Sequence, residues 1–184
     1  STGEHGNIFD FLMKTQSLGF GESVKKLAAE AGLPPYKFTK FDEKKNKRYD
    51  NYKLILKNYL NLCQENLLNK KNNFALNYLL KRGISKKTVF DFKLGYVSNN
   101  DEFYKILSQN FKTDELDSSG LFYKHEKSNN YVGRFKSRII YPINNLSGEV
   151  IAFGGRIIGN EKLAKYINSP ETEFYKKGNI LFNL

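Results

Sequence analysis

The sequence predicts an α+β fold, N-terminal helices followed by a twisted, largely antiparallel sheet. Up to Ser118 the apolar residues recur at helical spacing, and from Leu121 the period turns to that of strands. The strand-like part holds two polar, turn-forming stretches, residues 127–130 and 144–148. Each lies between apolar runs, so each predicts a hairpin.

Residues 1–6 are polar and glycine-rich and read as the tail of a preceding segment. Ile8, Phe9, Phe11 and Leu12 predict a short helix that stops before Gly19. Val24, Leu27, Ala28 and Ala31 recur at i, i+3, i+4 and i+7, and Gly32 suits the position just past a helix end. Pro34 and Pro35 break the chain, and residues 34–50 mix Pro, Lys, Asp and Asn without a period, as a linker does. Tyr52, Ile55, Leu56, Tyr59, Leu60, Cys63 and Leu67 then form one apolar stripe of a long helix. Cys63 falls inside that stripe and is expected to be a buried core thiol.

Residues 70–73 read as a loop, and 74–81 as a helix closed by Gly83. Ser85 is a good N-cap for a helix over 86–92, and 94–97 suits a short strand. Short helices are expected over 101–109 and 113–118. The first hairpin joins 121–123 to 131–132, and the second joins 138–143 to 150–158. Pro142 lacks the N–H that a ladder needs, which predicts an edge strand or a strand end there. A further strand is expected to begin over 180–182.

Fifteen Phe and twelve Tyr supply bulky core residues in a chain of 184 with no Trp. The net charge of +11 favours a polyanionic partner. It is segregated: residues 40–93 carry fourteen Lys/Arg against five Asp/Glu, and 131–184 carry eight against four. A single cysteine rules out an internal disulfide framework and points to a reducing compartment. No run of eighteen apolar residues is present, so no transmembrane helix is expected.

Catalytic constellations are scarce. There is no Gly-x-x-x-x-Gly-Lys-Ser/Thr loop and no Cys-x-x-Cys pair, and His5 and His125 are far apart. Asp101 with Glu102, and Asp114 with Glu115, open predicted helices, where negative charge complements the dipole. The basic residues are more informative. Arg134, Lys136 and Arg138 alternate, so in an extended segment they share one side. Gly154 and Gly155 allow close approach of a backbone or ligand, and Arg156 follows at once. Lys165, Tyr166 and Asn168 on a loop suit phosphate, base face and base edge. Lys177 and Gly178 suit a turn that offers a cation and backbone N–H groups. A single-stranded nucleic-acid-binding module and a nucleic-acid enzyme both fit this pattern.

Several stretches, in order and spacing, carry a resemblance. They are Arg134-Phe-x-x-Arg-Ile-x-Tyr-Pro-Ile143, Gly148-x-Val-Ile-Ala-Phe-Gly-Gly-Arg156, Lys165-Tyr-Ile-Asn-Ser-Pro-Glu-Thr172 and Lys177-Gly178. Upstream lie His5-Gly-Asn-Ile-Phe-Asp-Phe-Leu-Met13, Tyr78-Leu-Leu-Lys-Arg-Gly83 and Leu94-Gly-Tyr96. Together they resemble the bacterial replicative DNA primases over nearly the whole chain.

The resemblance implies a division into residues 1–33, the end of a zinc-binding module and its connecting helix, 34–51, a linker, and 52–184, the N-terminal subdomain of the RNA polymerase domain. It implies synthesis of short RNA primers on single-stranded DNA by nucleotidyl transfer in the cytoplasm, at the replication fork. The family's basic-groove positions fall on Arg82, Arg134, Arg138, Arg156, Lys165 and Lys177. Lys136 stands where the family tends to be basic, and Tyr166 and Asn168 share the Lys165 segment. The implied partners are single-stranded template, the RNA–DNA primer hybrid, ribonucleoside triphosphates and a replicative helicase that docks on a C-terminal region, with a monomer expected. Mg²⁺ or Mn²⁺ and Zn²⁺ are implied for the full protein, and none is expected to be bound by these residues. The zinc ligands would precede residue 1, with Thr2 where the last cysteine is expected, and the metal-binding carboxylates of a Toprim subdomain would follow Leu184.

Overall fold

The computed structural model describes residues 6–16, 18, 20–34, 39–100, 102–126, 128–159 and 163–179. The strand expected over 180–182, and the residues Thr2, His5 and Asp101, lie outside these. Helices come first and an antiparallel sheet follows, as the periodicity predicts.

Helix α1 (Ile8–Gln16) opens on a cap in which Asn7 Oδ1 accepts the N–H groups of Phe9 and Asp10 while Asp10 Oδ2 accepts that of Asn7. Helix α2 (Phe20–Glu30) ends at Gly32, whose φ of +65° lets Leu33 N–H reach back to the Ala28 carbonyl. Helix α3 (Lys40–Leu68) starts earlier than expected. Residues 40–50, which read as linker, are its first turns. The Thr39 hydroxyl accepts from Asp42 N–H, and the Asp42 carboxylate accepts from Thr39 N–H. That capping box starts a helix whose first part has little apolar surface to bury, so no stripe marks it.

From Tyr52 onward the stripe holds. Tyr52, Ile55, Leu56, Tyr59, Leu60, Cys63 and Leu67 are all buried. Tyr59 meets the rings of Phe103 at 5.5 Å, Phe122 at 6.1 Å and Phe153 at 5.3 Å, tying α3 to three later elements. After a 3₁₀ turn (Lys70–Asn72) come α4 (Asn73–Lys81), α5 (Lys86–Asp91) capped by Ser85, and strand β1 (Gly95–Val97). A Cβ on Gly95 would sit 2.9 Å from the Cys63 carbonyl carbon, so only glycine lets β1 cross α3 this closely.

Helices α6 (Phe103–Leu107) and α7 (Thr113–Ser118) precede the ribbon of β2 (Phe122–Lys124) and β3 (Tyr131–Gly133). Strands β4 (Arg138–Asn144), β5 (Val150–Ile157) and β6 (Tyr166–Asn168) complete a four-stranded antiparallel sheet in the order β1-β4-β5-β6. β4 is an internal strand, but Pro142 lies near its end and beyond the reach of β1, so it has a partner on one side only, in keeping with the edge or strand end expected there. Phe153 turns its N–H and carbonyl towards Ser169, away from its partner Pro142. The Pro142 nitrogen accordingly faces the β1 side, where pairing stops at Ile140, and no ladder bond is lost.

The two faces of the sheet are covered unequally. Ile140, Phe153 and Phe135 pack with α3 in one cluster. On the other face Tyr96 and Ile139 are covered by Ala75 and Leu79 of α4 and Val89 of α5. That cover lies over β1 and β4, with Tyr78 of α4 reaching Arg156 on β5, and leaves β6 and the surface over Gly154 open.

Candidate nucleic-acid interface

Register decides what lines the open part. Arg156 pairs with Ile139 on β4 and with Tyr166 on β6, and Gly154 pairs with Tyr141 and Asn168. Directly paired residues share a face, so Arg156, Tyr166, Gly154, Tyr141 and Asn168 lie together. Tyr166 and Asn168, expected on a loop with Lys165, lie on the edge strand β6, which begins just after Lys165. Alternation aims Tyr166 and Asn168 at this face and Ile167 at the core.

Arg156 sits at the centre. Its guanidinium carbon lies 5.1 Å from the ring centre of Tyr78 on α4 and 5.5 Å from that of Tyr166. Arg82, one turn after Tyr78, donates from Nη1 to the Tyr78 hydroxyl at 3.2 Å. Lys165 Nζ lies 5.9 Å from the Tyr166 ring. A cavity of about 380 Å³ is lined by Tyr78, Arg156, Ile158, Leu163 and Lys165. A second of about 380 Å³ lies over Gly154, lined by Tyr141, Tyr166, Asn168, Tyr175 and Lys177. Tyr166, 61% exposed, belongs to the wall of the second.

The electrostatics are unbalanced. Among the described residues no carboxylate pairs with the side chains of Arg82, Arg156, Lys165 or Lys177. Burial pushes the Tyr141 hydroxyl above its ordinary pKa, and the nearby Arg156 charge pulls it back. A row of unpaired cations beside flat aromatic faces suits a strand of phosphates with stackable bases.

The sequence-predicted residues divide into two groups. Arg82, Arg156, Lys165, Tyr166, Asn168 and Lys177 border the open face. Arg134, Lys136 and Arg138 do not line one side of a strand, because residues 134–137 form a turn and Ser137 has φ of +56°. Phe135, fully buried beneath Gly155, pulls this turn into the core. Arg134 donates to the Gly120 carbonyl at 3.2 Å and lies over the Tyr123 ring at 5.5 Å. Lys136 sits half-buried in the turn. Arg138 is 5% exposed on the core face and donates to the Ala164 carbonyl at 2.9 Å. Burial lowers its pKa from the ordinary arginine value. Through Ala164 it fixes the backbone that carries Lys165.

The close approach expected at Gly154 and Gly155 occurs at Gly155, where a Cβ would lie 2.6 Å from Phe135 Cδ1. Lys177 opens a 3₁₀ turn (Lys177–Asn179), and its N–H is already bonded to Glu171 Oε1 at 3.2 Å. Sequence reasoning did not single out Tyr78 and Tyr141 as parts of the face. Tyr78 stands at i−4 from Arg82, a spacing that places the two side chains together on a helix. Among the described residues no group of three or more His, Cys, Asp or Glu could hold a metal ion.

Residues 62–184 match the family model described as the DNA primase catalytic core, N-terminal domain. The chain belongs to this primase family. It is 39% identical to a DNA primase of Buchnera aphidicola subsp. Baizongia pistaciae, an alignment covering 98% of this chain and 31% of the relative. It is 37% identical to a DNA primase of Geobacillus stearothermophilus, covering 98% and 31%. The chain thus spans about a third of the length of the curated relatives it matches. A DnaG primase catalytic domain bound to single-stranded DNA superimposes with a TM-score of 0.69 at 29% identity, covering 76% of this chain and 43% of that one. The zinc-binding and RNA polymerase domains of the Aquifex aeolicus primase superimpose with a TM-score of 0.65 at 29% identity, covering 96% and 42%. The α+β architecture of this chain is that of the primase catalytic cores. Among the described residues no helix is long and apolar enough to cross a membrane.

Proposed function

We propose that this chain is the strand-holding part of a primase that makes short RNA primers on single-stranded DNA. The observation that carries the reading is the set of unpaired cations, Arg156, Lys165 and Lys177, around the open part of the sheet face. Phosphates of template, primer or incoming ribonucleotide neutralise these cations, and Tyr166 offers a face for a base. Arg82 extends the same positive border from α4. Arg134 and Lys136 steer the strand from the neighbouring turn, and Arg138 acts through the backbone of the Lys165 segment.

The proposed reaction is attack of a primer 3′-hydroxyl on the α-phosphate of a ribonucleotide, with pyrophosphate leaving. The residues of this chain orient the reacting strands and offset their charge. Divalent metal ions, held elsewhere in the full protein, would offset the charge that develops on the phosphates. Residues 1–33 read as the end of a zinc-binding module, and 52–184 as the subdomain that binds the strand. Action at the replication fork, a monomeric state and helicase contact through a separate region belong to the same proposal.

Priming assays on single-stranded template, with the substitution carried in the full-length protein, test it. Lys165→Ala lowers primer yield by at least about tenfold. The stability of the exposed site changes by no more than about 0.5 kcal/mol. Unchanged yield removes Lys165 from the site.

A further inference from the structure

Two arginines converge on one ring. The Tyr78 ring centre lies 5.1 Å from the Arg156 guanidinium carbon and 5.7 Å from that of Arg82. The Tyr78 hydroxyl also accepts the 3.2 Å hydrogen bond from Arg82. Arg156 meets a second ring, Tyr166, at 5.5 Å, so its guanidinium is held from α4 on one side and β6 on the other. It is only 9% exposed, and its buried Nε has no hydrogen-bond partner among the described residues.

This is an unusual way to hold a buried cation. A guanidinium taken out of water is ordinarily paired with a carboxylate. A carboxylate would fix Arg156 but would also cancel its charge and compete with an incoming phosphate. Tyrosine faces attract the cation through their quadrupole and leave its N–H groups unspent. The shared ring also offsets part of the repulsion between the two guanidinium groups.

We propose that Tyr78 is a positioning residue of the strand-binding site, holding Arg156 and Arg82 side by side in the orientation that receives phosphate. The inference rests on the nucleic-acid reading given above. It assigns to α4 a role beyond covering the sheet: α4 carries the part that sets the angle of a cation rooted in β5. If Tyr78 served packing alone, its loss would lower stability and leave the arginines' contribution to binding untouched.

The test uses the full chain and a fluorescein-labelled oligothymidine, followed by anisotropy, with NMR of the Arg156 side chain alongside. Tyr78→Phe keeps the ring face that holds Arg156 and loses only the hydroxyl that Arg82 donates to, so it binds about two- to threefold more weakly than wild type. Tyr78→Leu binds about tenfold more weakly. Adding Tyr78→Leu to Arg156→Gln costs less than about threefold further, since the ring then has one fewer cation to orient. The ring-current-shifted Arg156 protons of wild type persist in Tyr78→Phe and move towards ordinary positions in Tyr78→Leu. Tyr78→Met, unbranched, adaptable and without a π face, gives the same result if Tyr78→Leu fails to fold. If Tyr78→Leu and Tyr78→Met bind as wild type while Arg156→Gln binds weakly, the inference is overturned and the nucleic-acid reading stands. If wild type shows no salt-sensitive binding, both fall.

Discussion

Arg156 and Tyr166 are cross-strand partners on β5 and β6, with the guanidinium carbon 5.5 Å from the ring centre. The pairing sets a cation and an exposed π face side by side at the uncovered edge of the sheet. In the proposed function Tyr166 is a stacking platform whose neighbours hold the flanking phosphates. Tyr166→Ala is expected to weaken single-stranded DNA binding by about 1–3 kcal/mol, and Tyr166→Phe to retain most of the affinity. Anisotropy titrations at one fixed salt concentration check this.

Beneath that face Gly155 touches the core. A Cβ there would lie 2.6 Å from Phe135 Cδ1 and 3.1 Å from Arg138 Cδ. Gly155→Ala is expected to destabilise the chain by about 1–3 kcal/mol through overpacking. The measurement is the midpoint of denaturant unfolding, with the slope unchanged.

Arg138 is a structural member of the site. Its bond to the Ala164 carbonyl holds the segment in which the Lys165 carbonyl accepts Ile157 N–H at 3.1 Å. Arg138→Ala is expected to cost about 2 kcal/mol, because it removes a charged hydrogen bond and the packing of a buried stem. Faster amide exchange at Ile157 and lower primer yield should appear together.

These residues also show what could be read in the chain beforehand. The buried stripe of α3, including Cys63, was legible because a helix pressed on a core must repeat every 3.6 residues. The hairpins were legible from their polar turns. The first turns of α3 were not, because a helix with little to bury leaves no stripe and only the Thr39 and Asp42 cap announces it. The alternation of Arg134, Lys136 and Arg138 misled because Phe135, between them, is drawn into the core and bends the chain. Pro142 marked a position with a free side, because its neighbour β1 is three residues long and ends before reaching it. The cations of the site were legible as residue types in a spaced pattern. Their grouping was not, since register and the partial cover by α4 and α5 arise only from tertiary packing.

Tyr52 makes the fold sensitive to alkali. Its hydroxyl donates to the Ile151 carbonyl at 2.7 Å and accepts from Thr172 at 3.3 Å. Burial pushes its pKa up to about 12 from 10.0, against a smaller opposing effect of the Thr172 hydrogen bond. The folded value stands above the unfolded one, so this contribution is intact below pH 10.0 and is lost as pH rises through about 12. Stability is expected to fall by about 2–3 kcal/mol over that window from this group. Tyr52→Phe should flatten part of the decline in denaturant melts, and Tyr96, Tyr141 and Tyr175, also raised by burial, should account for the rest.

The most direct measurement is the salt dependence of single-stranded DNA binding by wild type and by the triple variant Arg156→Gln, Lys165→Gln, Lys177→Gln. Each phosphate neutralised on a single strand contributes about −0.7 to the slope of log K against log salt. Loss of these three cations should flatten the slope by about two and lower the affinity. An unchanged slope in a folded triple variant would mean that the strand is held elsewhere.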